Sequence, residues 1–438
     1  MDTRTDVVER GLRRWITVTI VGFTVASVLC GFSSSIDLLI VLRILQGLFG
    51  GGLIATAQAT LRDTFTVAEA GIAQGVFAII VLVGPIIAPM LGGYLVDAAS
   101  WQWIFFINLV PGVISAIVVG TMLRNPTEPA SIGVDVAGVA LLVIALGSLQ
   151  FVLEEGERRD WFSSTGIAVA AATAVLGGIA FVAWELVGTR TPIVDLRVLR
   201  YRTVAVGVVL AGGIAATLFA TTFILPQFTQ GILGFTAFDS GELLLFRALP
   251  IMLLAPVVAG LVGAGRVDVR AAMGTGYLLT AIGSYLIAGQ TTSESGFGSF
   301  VPGLLIGGSG TAMLFIPLLI AVQTATSAED APQASSFITL AFQLGGSIAS
   351  ALLVTLVDRR GDFHDDIVGA SITLARPVVR HALQVISPQQ LAALAAAQAQ
   401  TLAFADVAYV AAGLAALLVP IVFLLQRSQH TVTGVSFE

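Results

Sequence analysis

Apolar residues in this chain do not alternate with polar ones; they gather in long runs separated by short polar breaks. The runs fall approximately at 15–32, 36–61, 70–96, 101–122, 134–153, 165–187, 203–226, 240–263, 271–289, 299–322, 333–357 and 400–426. Each is close to or beyond the ~20 residues that a helix needs to cross the hydrocarbon core of a bilayer. None shows the period-two pattern of a half-buried strand. Hydrocarbon offers no hydrogen-bond partners, so a lone spanning segment must satisfy its own backbone, which only a helix does. The pattern predicts an all-α polytopic membrane protein with about twelve transmembrane helices.

Composition narrows the reading further. Of 438 residues, 56% are hydrophobic and 11% charged, where a soluble chain carries about 25% charged residues. All 21 basic residues are arginine, the net charge is −6, and no basic cluster suggests a nucleic-acid partner. Cys30 is the single cysteine, which excludes an intrachain disulfide. His364, His381 and His430 are scattered, so no metal site is expected. No Ser/His/Asp or Cys/His set stands at useful spacing, and neither an enzyme nor a cofactor is expected. The lipid bilayer is the expected surrounding of the chain.

Arginine placement orients the helices. With the first residues cytoplasmic and every run a crossing, the inner segments hold Arg4, Arg10, Arg13, Arg14, Arg62, Arg124, Arg190, Arg197, Arg200, Arg202, Arg266, Arg270 and Arg427. The outer segments hold Arg158, Arg159, Arg359, Arg360, Arg376 and Arg380, four of them in one long loop that weighs little. The positive-inside rule therefore puts both termini in the cytoplasm. The run 15–32 reads as a retained span, because Ser33-Ser34-Ser35 leads straight into the next and no small-x-small cleavage site stands out. Residues 188–202 read as a basic cytoplasmic connector lying at the lipid surface. Residues 358–399 read as an outer loop ending in a helix start, with Ser387 as N-cap, Pro388 at the first helical position and Gln390 at the third.

Two runs carry unusual residues. The second holds Arg43-Ile44-Leu45-Gln46-Gly47 and then Gly50-Gly51-Gly52. An arginine at bilayer depth costs ~2.5–3.5 kcal/mol even on the lenient insertion scale, so Arg43 is expected to face protein or a water-filled cavity. Gly47 and Gly51 form a small-xxx-small face for close helix contact. The third run spaces Gly75, Gly84-Pro85, Ala88-Pro89 and Gly92-Gly93 along one helix. Two prolines each remove a backbone donor, which predicts a bent helix, smooth on one side.

These residues resemble a known family. Arg43-x-x-Gln46-Gly47 resembles motif B of the major facilitator superfamily, and Gly75-x8-Gly84-x3-Ala88-Pro89-x2-Gly92-Gly93 resembles its motif C, with Ala88 where glycine is usual. Trp101-Gln102-Trp103-Ile104-Phe105-Phe106-Ile107-Asn108 is similar to a stretch of the fourteen-helix drug–proton antiporters. Pro192-Ile193-Val194-Asp195-Leu196, Gln343-Leu344-Gly345-Gly346 and Ala405-Asp406 also resemble that group. In the family, motifs B and C lie on the fourth and fifth helices; here they lie on the second and third runs. Glu9-Arg10-Gly11-Leu12-Arg13-Arg14 resembles only the tail of motif A. The resemblance thus implies a two-lobed bundle without the family's first two helices. Residues 1–133 form a four-helix N-terminal lobe, 134–202 a linker pair and connector, and 203–438 a six-helix C-terminal lobe with the outer loop 358–399.

The resemblance implies a proton-coupled exporter of small amphipathic, drug-like compounds in the bacterial cytoplasmic membrane. The partners it implies are a small molecule and protons, with the chain acting as a monomer. Arg43 would respond to protonation, with Gln46 and Gly47 beside it as the rest of motif B, while Gly75, Gly84, Pro85, Pro89, Gly92 and Gly93 would bend the motif C helix and form its interface. Phe223, Gln227, Gln230, Gln323 and Gln343 are candidates for the substrate cavity. Glu242 is a candidate proton site; it could also pair with Arg247 or sit at the interface, and Asp406 is expected to cap or pair. Two alternatives stand beside the exporter: a shortened, non-transporting paralogue, and an exporter of a host metabolite such as an antibiotic or siderophore.

Overall fold

The computed structural model describes residues 11–53, 56, 57, 60, 67–123, 135–189, 195–327 and 330–426. Every apolar run becomes a helix. We number them α1 (Gly11–Gly31), α2 (Ile36–Gly50), α3 (Val67–Ala98), α4 (Trp103–Met122), α5 (Val136–Glu155), α6 (Thr165–Gly188), α7 (Arg202–Gly231), α8 (Ala237–Gly263), α9 (Val269–Gly289), α10 (Phe297–Ala325), α11 (Ala331–Ser371) and α12 (Pro388–Val422). The all-α architecture is therefore observed, and among the described residues ten of these helices are long and apolar enough to cross a membrane. Polar side chains mark the starts: Ser35 accepts from the Leu38 amide, Asp135 from Gly138, and Thr236 and Asp239 form a reciprocal capping box. The Gly138 amide, above all, holds the Asp135 carboxyl below its usual range.

The chain divides into two compact units, residues 1–81 with 88–133, and residues 134–438 with the short piece 82–87. The linker pair α5–α6 thus falls into the same unit as α7–α12.

In the first unit, glycines receive aromatic rings. A methyl group at Gly22 of α1 would lie 2.4 Å from the Phe49 ring of α2, and one at Gly50 of α2 would lie 2.9 Å from the Phe23 ring of α1. Among the described residues this reciprocal seating, and not the expected Gly47/Gly51 face, makes the close contact of α2. Among them nothing lies within 4 Å of a methyl placed at Gly47, and one at Gly51 meets only the Gly47 carbonyl of its own helix. The physical reason is that the helix face is set by the large partners, Phe23 and Phe49, which need the glycines opposite them.

In the second unit, backbone meets backbone. A methyl at Gly345 of α11 would stand 2.6 Å from Gly212 Cα of α7, and one at Gly346 would strike the Phe219 ring. The family-like stretch Gln343-Leu344-Gly345-Gly346 is thus a helix crossing. A second crossing joins α9 to α10, where Gly276 and Gly283 face Gly303, Gly307 and Gly310. Small residues let membrane helices approach closely enough for dispersion and weak backbone contacts to hold them. Around these seams Leu210, Ile214, Leu243, Phe300, Leu304 and Val407 are fully buried.

Two expected loops are ordered differently. The stretch 358–399 is mostly helical: α11 continues to Ser371, a short helix covers Pro377–Val385, and α12 begins at Pro388. The Ser387–Gln390 capping box expected at its end is present. The helices extend because Arg360 and His364 of α11 both reach Asp406 of α12, at 2.6 and 2.8 Å, so α11 and α12 stay joined beyond the apolar core. The described end of the connector is docked on protein. Its turn Leu196–Arg200 buries Val198, and both Arg200 and the Tyr201 hydroxyl reach Asp330 just before α11, at 3.0 and 2.8 Å. The Tyr201 hydroxyl, then the Ser327 hydroxyl and the Arg200 guanidinium, hold the Asp330 carboxyl below its usual range. Arg4, Arg10, Arg62, Arg124, Arg190, Arg427 and residues 191–194 lie outside the described residues.

Candidate functional site

Arg43 is placed by α2 and by the turn that opens α4. Its NH1 donates to Gln46 Oε1 at 2.8 Å, one helical turn on, and its guanidinium lies 5.6 Å from the centre of the Phe105 ring. Gln46 is the buried member, 3% exposed, whereas Arg43 itself is exposed. Arg43 thus touches protein through Gln46 and Phe105 while its own side chain stays exposed, and Gln46 carries the buried polar load. Phe105 is held in turn by its own segment: the Phe105 carbonyl accepts from Ser27 Oγ of α1, and Ser27 Oγ accepts from Asn108 Nδ2, each at 3.0 Å. The Trp101–Asn108 stretch therefore fastens α4 to α1 and presents the ring that Arg43 covers.

The same unit contains a cavity of about 880 Å3 between α1, α3, α4 and the continuation of α2 at Leu53, Thr56, Ala57 and Thr60. Its walls are mainly apolar, with Ile16, Ile20, Phe77 and Ile80 among them, and its polar groups are hydroxyls and the Asn108 amide. None of the described residues that line it is ionisable. A pocket of this size and polarity matches the 300–1,000 Å3 clefts that take drug-sized ligands.

The motif C residues lie in α3, which runs unbroken from Val67 to Ala98. Pro85 and Pro89 cannot donate, so the Val81 and Pro85 carbonyls lose their usual amide partners. Methyl groups at Gly84 or Gly92 would meet nothing within 4 Å, so these glycines leave α3 smooth. The surroundings of Gly75, Pro85 and Pro89 lie outside the described residues.

The cavity candidates in the second unit are scattered. Phe223, Gln227 and Gln230 lie on one exposed face of α7; Gln323 is exposed and donates to Ser335 Oγ at 3.2 Å; Gln343 is exposed on α11. None of the five lines a cavity described here. Glu242 is exposed on α8 and makes no ion pair with Arg247, which corrects the expected option of a pair five residues apart. Five residues place the two side chains well apart around a helix, so one faces out while the other faces in.

Arg247 is the feature that sequence reading underrated. It is 0% exposed, with NH1 donating to Thr221 Oγ1 of α7 and NH2 to Thr311 Oγ1 of α10, both at 3.0 Å. A methyl at Gly308 would strike the Arg247 carbonyl and one at Gly307 would press on NH1 at 3.3 Å, so the glycines of α10 make the guanidinium's room. The signal was present as Gly303-x3-Gly307 in the tenth run, the same spacing rule applied to the second.

The Major Facilitator Superfamily profile matches residues 6–350. The chain is 32% identical over 353 residues to the multidrug export protein EmrB of Escherichia coli K12, covering 80% of this chain and 67% of that protein. It is 30% identical over 351 residues to the fatty acid resistance protein FarB of Neisseria gonorrhoeae, covering 80% of this chain and 68% of the other. The chain thus spans about two thirds of the length of these relatives. Among solved structures, a POT family transporter superposes with a TM-score of 0.60 at 14% identity, covering 94% of this chain and 82% of that one. A bacterial homologue of the lysosomal transporter Spinster, inward-facing and unoccupied, gives a TM-score of 0.56 at 14% identity over 96% and 85%. These two likenesses carry the fold alone. With motifs B and C in place on α2 and α3, the chain belongs to the major facilitator superfamily, as a multi-pass membrane transporter of the efflux type grouped with the EmrB-type proteins.

Proposed function

We propose that this chain exports small amphipathic, drug-like compounds across the bacterial cytoplasmic membrane by alternating access, driven by inward proton flow, with both termini cytoplasmic. The observation that carries the substrate class is the drug-sized cavity of the first unit, whose described lining is mainly apolar and carries no ionisable side chain. Such a wall binds by area and shape and rejects little, which suits varied lipophilic guests. Arg43 is the coupling residue in this reading. A guanidinium held, among the described residues, by a neutral amide and an aromatic face is free to exchange partners when a nearby carboxylate gains or loses its proton, and that exchange biases one of two states. The motif C glycines and prolines of α3 supply the smooth, donor-poor helix that such a change needs. The names of EmrB and FarB support efflux of amphipathic molecules as the direction and class.

The test is flux in liposomes holding the purified chain, under an imposed pH gradient, with a fluorescent lipophilic dye. Dye movement that a protonophore abolishes is the expected result. Arg43→Ala should lose gradient-driven movement at unchanged incorporation, and Ala57→Trp, which fills the cavity wall, should weaken dye transport. A folded protein without flux would establish the non-transporting alternative, and flux indifferent to the protonophore would remove proton coupling.

A further inference from the structure

We infer that the cavity of the first unit selects lipophilic molecules that carry an N–H or O–H donor, and that Asn108 Oδ1 is the acceptor that reads it. The inference rests on the export reading, whose cavity it takes, and adds a polar requirement to a wall that otherwise sorts guests by size and shape.

A short series of hydrogen bonds fixes which end of the Asn108 amide is left for a guest. Ser27 of α1 is 0% exposed and sends its one hydroxyl proton to the Phe105 carbonyl at 3.0 Å. Toward Asn108 its oxygen is therefore an acceptor, and Nδ2, the donor end of the amide, takes that side at 3.0 Å. With the amide reversed, two sets of lone pairs would face each other at Ser27, so the network sets the orientation. The carboxamide is planar, and turning Nδ2 toward Ser27 turns Oδ1 elsewhere. Asn108 precedes the helical stretch Leu109–Met122, yet its side chain makes no capping bond there. Among the described residues nothing donates to Oδ1. The residue is half-buried and lines the cavity of about 880 Å3.

The hydroxyls of the same wall add acceptors more than donors. Thr24, Thr56 and Thr60 send their protons to the carbonyls of Ile20, Gly52 and Thr56, each at 2.8 Å. What their oxygens keep is lone pairs, and Thr24, 6% exposed, shows little even of those. Ser115 is the lining hydroxyl not committed in this way among the described residues. A guest whose only polar group is a carboxylate would thus exchange its water for lone pairs and apolar wall, which is costly. A guest with one N–H gives up a bond to water and regains it at Oδ1. An analogue without the donor covers Oδ1 and leaves it unmet, and such a site discriminates against the analogue that lacks the group. A neutral donor suffices, since none of the described lining residues is charged. Ser27 acts as a positioning residue, because it holds the amide that the guest meets.

The experiment measures equilibrium binding to the purified full chain in nanodiscs, with uptake by empty discs subtracted. The probes are a tritiated lipophilic anilide with one N–H, its N-methyl analogue, and a carboxylate of similar apolar length. The parent protein should bind the anilide roughly tenfold more tightly than the N-methyl analogue, the worth of one hydrogen bond, and the carboxylate more weakly than the anilide. Asn108→Leu should erase that preference by weakening the anilide, and binding of the N-methyl analogue by the same preparation shows that the cavity is intact. Ser27→Ala should narrow the preference, because the amide is then able to turn; a merely structural role would move both probes together. Equal affinities for the pair in the parent would overturn the inference, as would a preference that survives Asn108→Leu or tighter binding of the carboxylate. Dye flux without a donor preference leaves export standing and removes Asn108 as the reader. A donor preference without flux does the reverse, and binding of neither amide removes the cavity and this inference with it.

Discussion

Replacing Gly283 by alanine tests the crossing on which the Arg247 pocket depends. The added Cβ would stand 2.5 Å from Gly307 N, 2.6 Å from Gly307 Cα and 2.6 Å from the Gly303 carbonyl oxygen. Ordinary contact between such atoms lies at ~3.5–4.0 Å, so α9 and α10 must part by roughly 1 Å. All three atoms are backbone and none can rotate aside. Overpacking of this kind costs ~1–3 kcal/mol, against which alanine returns up to ~1 kcal/mol of helix propensity. The net loss is ~1–2 kcal/mol, or ~1–2 °C in the melting midpoint of the purified protein. Gly413→Ala in α12 is the control, because nothing lies within 4 Å of its Cβ and propensity alone should hold or raise its midpoint. Parting the helices also draws Thr311 and Gly307 away from Arg247, which adds to the loss. A Gly283→Ala protein that melts with Gly413→Ala, at or above the parent, would refute the close crossing.

Two further changes probe the ends of α11. Asp406→Asn removes the carboxylate shared by Arg360 and His364; with about a third of Arg360 and Asp406 exposed, the cost is about 1 kcal/mol, and amide exchange should quicken in α11 beyond Val357, whereas unchanged exchange there would deny the link. Asp330 has a carboxyl held below the ordinary value, so its contribution is complete above ~3.9 and fades as pH falls through the lowered folded-state value. Amide protection of the Leu196–Arg200 turn should therefore drop only in acid, and Asp330→Asn should show the acid behaviour at neutral pH; protection indifferent to both would separate the connector from α11.

The helices were legible because the hydrocarbon core imposes one demand, continuous apolar length, which each run announces by itself. The start of α12 was legible for an equally local reason, since Ser387 and Gln390 satisfy each other's amides within one turn. The stretch 358–399 was not. Its polar residues fail the apolar-length test, yet the helices persist there through a contact between residues 46 apart in sequence, Arg360 and Asp406. The docking of the connector at Asp330 depends on a still longer separation, 129 residues from Tyr201. Periodicity within a run carries no record of either.

The two intramembrane arginines show why the site was harder to read than the fold. Arg43 sits in a family motif and Arg247 does not, so sequence reading gave weight to the first. Charge cost by itself treats them alike, since both interrupt apolar runs. What separates them is the neighbour facing each helix. Arg43 has Gln46 on its own helix and an aromatic ring from the α4 turn, and it keeps an exposed flank. Arg247 has hydroxyls from two other helices and a glycine seam that lets those helices close over it. A residue that must exchange partners needs an open side, and one that sets a fixed field needs a closed one. The accessible arginine thus fits the proposed coupling role, and the sealed arginine fits a fixed charge held between α7, α8 and α10.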